Sequence, residues 1–258
     1  MPPHRLIVKL GTSTLTSGSI SISKPAILEI VRQIALLHTE GCQIILVTSG
    51  AIAAGREVIH YAELPRYVPA KQMLSALGQP KLMALYAEIF GYYDLDVAQI
   101  LLTRSDLSDR KRYLNARNTL DALLMQRVIP VINENDTVAT EEIRVGDNDN
   151  LSALVANLVE ADILILLTDQ MGVYTGDPRT DPSAVLIPVV DTPDIPESLW
   201  LAAGGSTTGL GTGGMVTKLQ AADLARRSGT TVYIASGKEK DVLLRISHGE
   251  SIGTRFCA

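Results

Sequence analysis

A chain of 258 residues with 46% hydrophobic content is long enough for one large domain or two small ones and has ample material for a core. Its net charge of -5 and isoelectric point near 5.4 exclude the clustered basic face that a nucleic-acid partner calls for. Two cysteines, Cys42 and Cys257, and four scattered histidines exclude a disulfide framework or a metal-binding motif, and Asn157, Glu160 and Asp162 break the longest apolar stretches too early for a membrane span.

The chain begins Met-Pro-Pro-His-Arg with no signal-type apolar segment, so a reduced, cytoplasmic setting is expected. Leu6 to Leu10 reads as a buried strand carrying one charge, Lys9, and it runs into Gly11-Thr12-Ser13. A lysine beside such a turn suits a phosphate shared between backbone N–H groups and an ammonium; a lysine on an edge strand is the alternative. Ser23 caps a helix with Pro25 in its first turn and apolar residues at Ile27, Ile30, Val31, Ile34 and Leu37, stopped by Gly41. Ile44 to Val47 is the next strand. It leads into Thr48 to Gly55, read as a turn of small residues that lets backbone approach a ligand, with Ser49 offering a hydroxyl. Val47 stands where a nucleophile elbow needs glycine, so Ser49 is not read as a nucleophile. A helical segment from Lys71 to Phe90, a strand from Val97 to Leu102 and a helix around Tyr113 continue the alternation.

Val128 to Ile132 is again a short buried strand, and it ends abruptly in Asn133, Glu134, Asn135 and Asp136. In an open α/β sheet ligands sit at the carboxyl ends of strands, so this break marks a candidate site. From Glu134 to Asp149 there are six acids and one base, Arg144. Such a cluster repels anions unless cations join it: it suits a substrate ammonium or Mg²⁺, or it orients lysines from elsewhere in the fold. Asn148 or Asp149 caps the helix that follows, and the run lacks the ligand spacing of an EF-hand.

Ile163 to Leu167 is another strand, ending in Thr168-Asp169, and further strands are expected near 185–190, 231–235 and 251–254. A glycine-rich loop from Gly204 to Gly214 opens a helix at Met215. Gly209 to Gly214 matches G-x-G-x-x-G formally, but no buried strand precedes it, so it is read as a phosphate cradle with Thr212, Thr217 and Lys218 rather than a dinucleotide site. No Walker A sequence occurs. Together these features suggest an ATP-dependent phosphotransferase with neither a P-loop nor a protein-kinase core.

Seven segments then resemble the amino acid kinase family, in its glutamate-phosphorylating branch: residues 7–13, 47–56, 114–117, 130–136, 145–153, 167–170 and 211–218. The resemblance covers residues 5 to about 255. It implies an α/β fold with an open, mainly parallel sheet and helices on both faces. It implies a single domain over 1–258, about 1–160 binding L-glutamate and about 161–258 binding ATP; the one departure from the family pattern is that no carboxyl-terminal PUA module, present in many bacterial relatives, is expected here. The implied reaction phosphorylates the side-chain carboxylate of L-glutamate, the first step of proline biosynthesis. By position, Lys9, Lys218 and Asp149 are the expected catalytic groups, and Ser49, Asp136 and Asn148 the expected glutamate ligands. Lys9, Thr168, Asp169, Thr212, Gly213, Gly214, Met215, Val216, Thr217 and Lys218 are expected to hold ATP. Mg²⁺ is an expected cofactor with no protein ligand assigned, and a homo-oligomer with feedback inhibition by proline is expected. Kinases of this kind also act on N-acetylglutamate, aspartate, carbamate or UMP; the acid cluster favours an acceptor with a free ammonium.

Overall fold

The computed structural model describes residues 4–61, 64, 67–139, 148–204 and 214–258. In chain order the elements are β1 (Arg5–Leu10), α1 (Thr12–Thr16), α2 (Lys24–Thr39), β2 (Gln43–Thr48), α3 (Ala51–Val58), α4 (Val68–Gly91), β3 (Val97–Leu102), α5 (Arg104–Ser108), α6 (Arg110–Met125) and β4 (Ile129–Glu134). There follow α7 (Asn148–Val159), β5 (Ile163–Thr168), β6 (Val189–Val190), α8 (Glu197–Ala202), α9 (Met215–Arg226), β7 (Thr231–Ser236), α10 (Val242–Ser247) and β8 (Thr254–Phe256). Among the described residues the strands form one sheet in the order β3-β4-β2-β1-β5-β7-β8-β6. All its pairings are parallel except β7 with β8. No helix among the described residues is long and apolar enough to cross a membrane.

Strand parity sorts the side chains into two cores. Leu6, Val8 and Leu10 of β1 pack with Ile44 and Leu46 of β2 and Ile129 and Val131 of β4, under α2, α4 and α10. Ile7 packs on the other face with Ile45, Val47 and Ile132, under α6, α7 and α9. Lys9 shares the parity of Ile7 and so projects towards α7 and α9. β1 is an interior strand between β2 and β5, which overturns the edge-strand alternative for that lysine. From β1 the chain steps outward through β2, and it later resumes at β5 on the other flank of β1, so the topological switch point lies above the carboxyl end of β1.

Three sequence expectations change. In the 48–55 stretch Thr48 still belongs to β2 and only Ser49 and Gly50 connect, Gly50 with a φ of 93° that suits a residue without a side chain; from Ala51 it is helix α3. The strand expected at 185–190 shrinks to Val189–Val190, because Pro188 has no N–H to give to a ladder. The strand expected at 251–254 lies instead at Thr254–Phe256, after Gly253 turns the chain with φ of 70°.

Helices α3 and α4 cross backbone against backbone. A Cβ on Gly55 would overlap the Leu74 carbonyl, and one on Gly78 would overlap the Ala51 carbonyl. This close approach brings the α4 face carrying Ser75 and Gln79, one helical turn apart, to the carboxyl ends of β2 and β4. Gly78→Ala is therefore expected to destabilise by about 1–3 kcal/mol through overpacking. At about 2–4 °C per kcal/mol for a chain near this size, scanning calorimetry should register a clear fall in Tm. Gly91→Ala, at the open end of α4 where an added Cβ meets nothing within 4 Å, serves as the control and should leave Tm unchanged or slightly raised.

Candidate active site

Three elements converge on one carboxylate. α7 begins at Asn148, which puts Asp149 in its first turn, where helical N–H groups favour an anion. α9 begins at Met215 and packs against α7, so Thr217 and Lys218 of its first turn reach the same place. Lys9 Nζ pairs with Asp149 Oδ1, Lys218 Nζ lies 3.0 Å from Oδ2, and Thr217 Oγ1 donates to Oδ2 at 2.9 Å. Lys218 also donates to the Gly214 carbonyl at 3.4 Å, and that carbonyl, 2.9 Å from Thr217 Oγ1, competes with Asp149 for the one Thr217 hydroxyl proton. The three charged residues are buried, at 4%, 1% and 9% exposure for Lys9, Asp149 and Lys218. Over these side chains the net charge is +1, which in a low-dielectric setting creates a strong preference for an incoming anion. The space beside Lys9 is open because Gly11 has no side chain: a Cβ there would stand 3.5 Å from Lys9 Nζ and 3.7 Å from the Leu167 carbonyl oxygen.

Next to this cluster lies a cleft of about 360 Å³, lined among others by Ser49, Arg56, Asn133, Glu134, Asp136 and Asn148. Asn148 is 6% exposed. Its Nδ2 has two protons and three acceptors within reach, the Thr48 carbonyl at 2.7 Å, Ser49 Oγ at 3.0 Å and Asn133 Oδ1 at 2.9 Å. Its Oδ1 is buried and has no hydrogen-bond partner among the described residues, an acceptor suited to a ligand that carries N–H or O–H. Asp136 is half-buried and accepts from Ser75 Oγ at 2.7 Å. Burial pushes its carboxyl above the ordinary carboxylate range, and the Ser75 bond partly opposes this. Arg56 is the one cationic side chain among the described residues lining the cleft. An acceptor oxygen, two carboxylates and a guanidinium around one cleft suit a zwitterionic ligand.

The structure thus gathers Lys9, Asp149, Thr217 and Lys218 into one cluster and Ser49, Asp136 and Asn148 into the adjoining cleft. Thr168 ends β5 and donates to Asp169 Oδ1 at 3.1 Å, and Gly214, Met215 and Val216 stand at the start of α9. Thr212 and Gly213 lie outside the described residues, as do Glu141, Glu142, Arg144 and Asp147 of the acid-rich stretch. Sequence reasoning missed Arg56, Ser75 and Gln79. Arg56 closes the 47–56 segment and could have been found as a lone base after a run of small residues; Ser75 and Gln79 carry no local signal.

The amino acid kinase family model matches residues 4–236. The chain belongs to the amino acid kinase family. Among curated relatives, glutamate 5-kinase of Shewanella amazonensis is 58% identical over 255 residues, covering 99% of this chain and 67% of that protein. Glutamate 5-kinase of Haemophilus influenzae is 54% identical over 258 residues, covering 100% of this chain and 70% of that protein. Among solved structures, UMP kinase from Bacillus anthracis superposes with a TM-score of 0.67 at 16% identity, over 100% of this chain and 97% of that one. An isopentenyl phosphate kinase from T. acidophilum gives 0.65 at 18% identity, over 97% and 99%. At those identities the two structures speak for the amino acid kinase fold, an open, mainly parallel sheet with helices on both faces.

The raised affinity of Asp136 for its proton has a consequence for stability. A carboxyl whose folded-state pKa exceeds its unfolded value binds more protons when folded, so its charged form costs stability at neutral pH and the cost fades as pH falls through the raised pKa. Asp136→Asn is expected to raise Tm at pH 7, with the difference from the parent shrinking as pH approaches the ordinary value of 3.8. Thermal melts of both proteins across that range check this.

Proposed function

We propose that the chain transfers the γ-phosphoryl group of ATP to the γ-carboxylate of L-glutamate, giving L-glutamyl 5-phosphate and ADP, the first step of proline biosynthesis. The observation that carries this reading is the buried Lys9, Asp149 and Lys218 cluster abutting a cleft edged by Asp136 and Asn148. Membership of a kinase family makes ATP the phosphoryl donor, and the relatives named glutamate 5-kinase support glutamate as acceptor.

A γ-carboxylate, with an ordinary pKa of about 4.3, is already ionised near pH 7, so no general base is required. The difficulty is bringing one anion onto another. A carboxylate oxygen of glutamate bonds to the γ-phosphorus while the bond from that phosphorus to its bridging oxygen breaks, the electron pair leaving on ADP. Lys9 and Lys218 stabilise charge on the group in flight, and Asp149 fixes the two ammonium groups in place. At the far end Asp136 and Asn148 Oδ1 receive the α-ammonium, Arg56 meets the α-carboxylate and Ser49 adds a hydroxyl. Thr168, Asp169, Thr212, Gly213, Gly214, Met215, Val216 and Thr217 hold the nucleotide with the two lysines, so residues about 1–160 serve glutamate and about 161–258 serve ATP.

Among the described residues no three His, Cys, Asp or Glu side chains converge as a metal cage. Mg²⁺ fits such a site as an ion held chiefly by phosphates, where it supplies charge neutralisation. A homo-oligomeric state and feedback inhibition by proline belong to the same proposal.

Incubation with glutamate, Mg·ATP and hydroxylamine should give γ-glutamyl hydroxamate, dependent on both substrates and the protein; no product above the protein-free control overturns the reading. Lys218→Met should lower kcat by about 10²- to 10³-fold with the glutamate KM within about threefold. A variant retaining more than about a third of kcat removes Lys218 from the reaction. Asp136→Asn leaves a desolvated ammonium without its counter-charge, a loss of roughly 2–5 kcal/mol. The glutamate KM should therefore rise about 30-fold or more, with the ATP KM unchanged within about twofold.

A further inference from the structure

Behind the cleft the amide side chains form a chain with a single direction. Asn148 Nδ2 donates to Asn133 Oδ1 at 2.9 Å, Asn133 Nδ2 donates to Gln79 Oε1 at 2.8 Å, and Gln79 Nε2 donates to Gln99 Oε1 at 3.2 Å. Asn133 has the parity of Ile129 and Val131 on β4, which turns it towards the face covered by α4. Its orientation is not interchangeable: Oδ1 also accepts the Glu134 backbone N–H at 2.9 Å, so a flipped amide would set its NH₂ group against two donors. Asn133 is 2% exposed and Gln79 7%, so bulk water does not substitute for either partner.

Gln79 does not line the cleft and touches no reacting group. It is, however, the acceptor that holds Asn133 Nδ2, and the backbone crossing of α3 on α4 presses it there. We propose that Gln79 is a positioning residue for the glutamate site: it fixes Asn133, Asn133 fixes the Asn148 amide, and the Asn148 Oδ1 is thereby kept as an acceptor for the substrate ammonium. This rests on the reading of Asn148 as a glutamate ligand. The contribution is graded, because Asn148 Nδ2 has two further acceptors in Thr48 and Ser49.

The test uses the whole chain and three measurements on each variant: KM for glutamate, KM for ATP and Tm. Gln79→Met removes the acceptor at similar side-chain length, and the glutamate KM should rise about tenfold while the ATP KM stays within about twofold and kcat within about threefold. Gln79→Glu keeps an oxygen that accepts from Asn133, and the glutamate KM should return to within about threefold of the parent, although the buried charge lowers Tm more than methionine does. A residue with a merely structural role would give KM values that follow Tm; the proposal requires the opposite order. Gln79→Leu takes the place of Gln79→Met should the latter fail to fold. An active parent with a glutamate KM indifferent to Gln79→Met, or KM values that follow Tm, overturns the relay alone. A parent without glutamate-dependent hydroxamate formation overturns the functional reading and the relay with it.

Discussion

The structure turns on burying one carboxylate between two ammonium groups. Asp149 alone in that position would be an uncompensated interior charge, and so would either lysine; together they are tolerable and still leave an unmet demand for an anion. Each supporting element answers to this requirement. The central strand must present Lys9 on the face of Ile7, α7 must start at Asn148, and α9 must start within one turn of Lys218. A shift of one residue in β1 would turn Lys9 into the opposite core.

Around that charged centre the polarity is graded. Ions occupy the switch point, neutral amides line its flank through Asn148, Asn133 and Gln79, and hydrocarbon fills both faces of the sheet beyond. The amides carry no net charge, so they shape the cleft without competing for the lysines. Helix α4 contributes to this flank solely because glycines at 55 and 78 let it approach α3 so closely, which ties the shape of the cleft to two residues that bear no functional group.

Much of this was legible in the chain. Apolar runs ending abruptly in polar residues located the interior strands, and Ser23 with Pro25 marked the start of α2. The Lys9, Asp149 and Lys218 positions followed from a family resemblance, and their meeting from 140 and 69 residues apart depends on strand order, which no local pattern encodes. Gln79 reads as an ordinary polar residue in a helix, since its partners Asn133 and Gln99 come from other elements. The short strands β6 and β8 were misjudged because two or three paired residues leave no periodicity to detect. The 48–55 stretch hid helix α3, because residues chosen for close backbone approach look like those of a turn.

One feature of the sheet bears on motion. β1 is hydrogen-bonded along its length to β2 on one flank and to β5 on the other, so the two halves of the sheet share a single ladder. Enzymes that enclose two substrates by swinging separate lobes rely on a few hinge residues between those lobes. Here β2, β1 and β5 are joined by continuous ladders, so the two halves meet through paired backbone rather than through such a hinge. The sheet is one continuous bed, and the first turns of α7 and α9, bound to each other through Asp149, rest together above its strand ends.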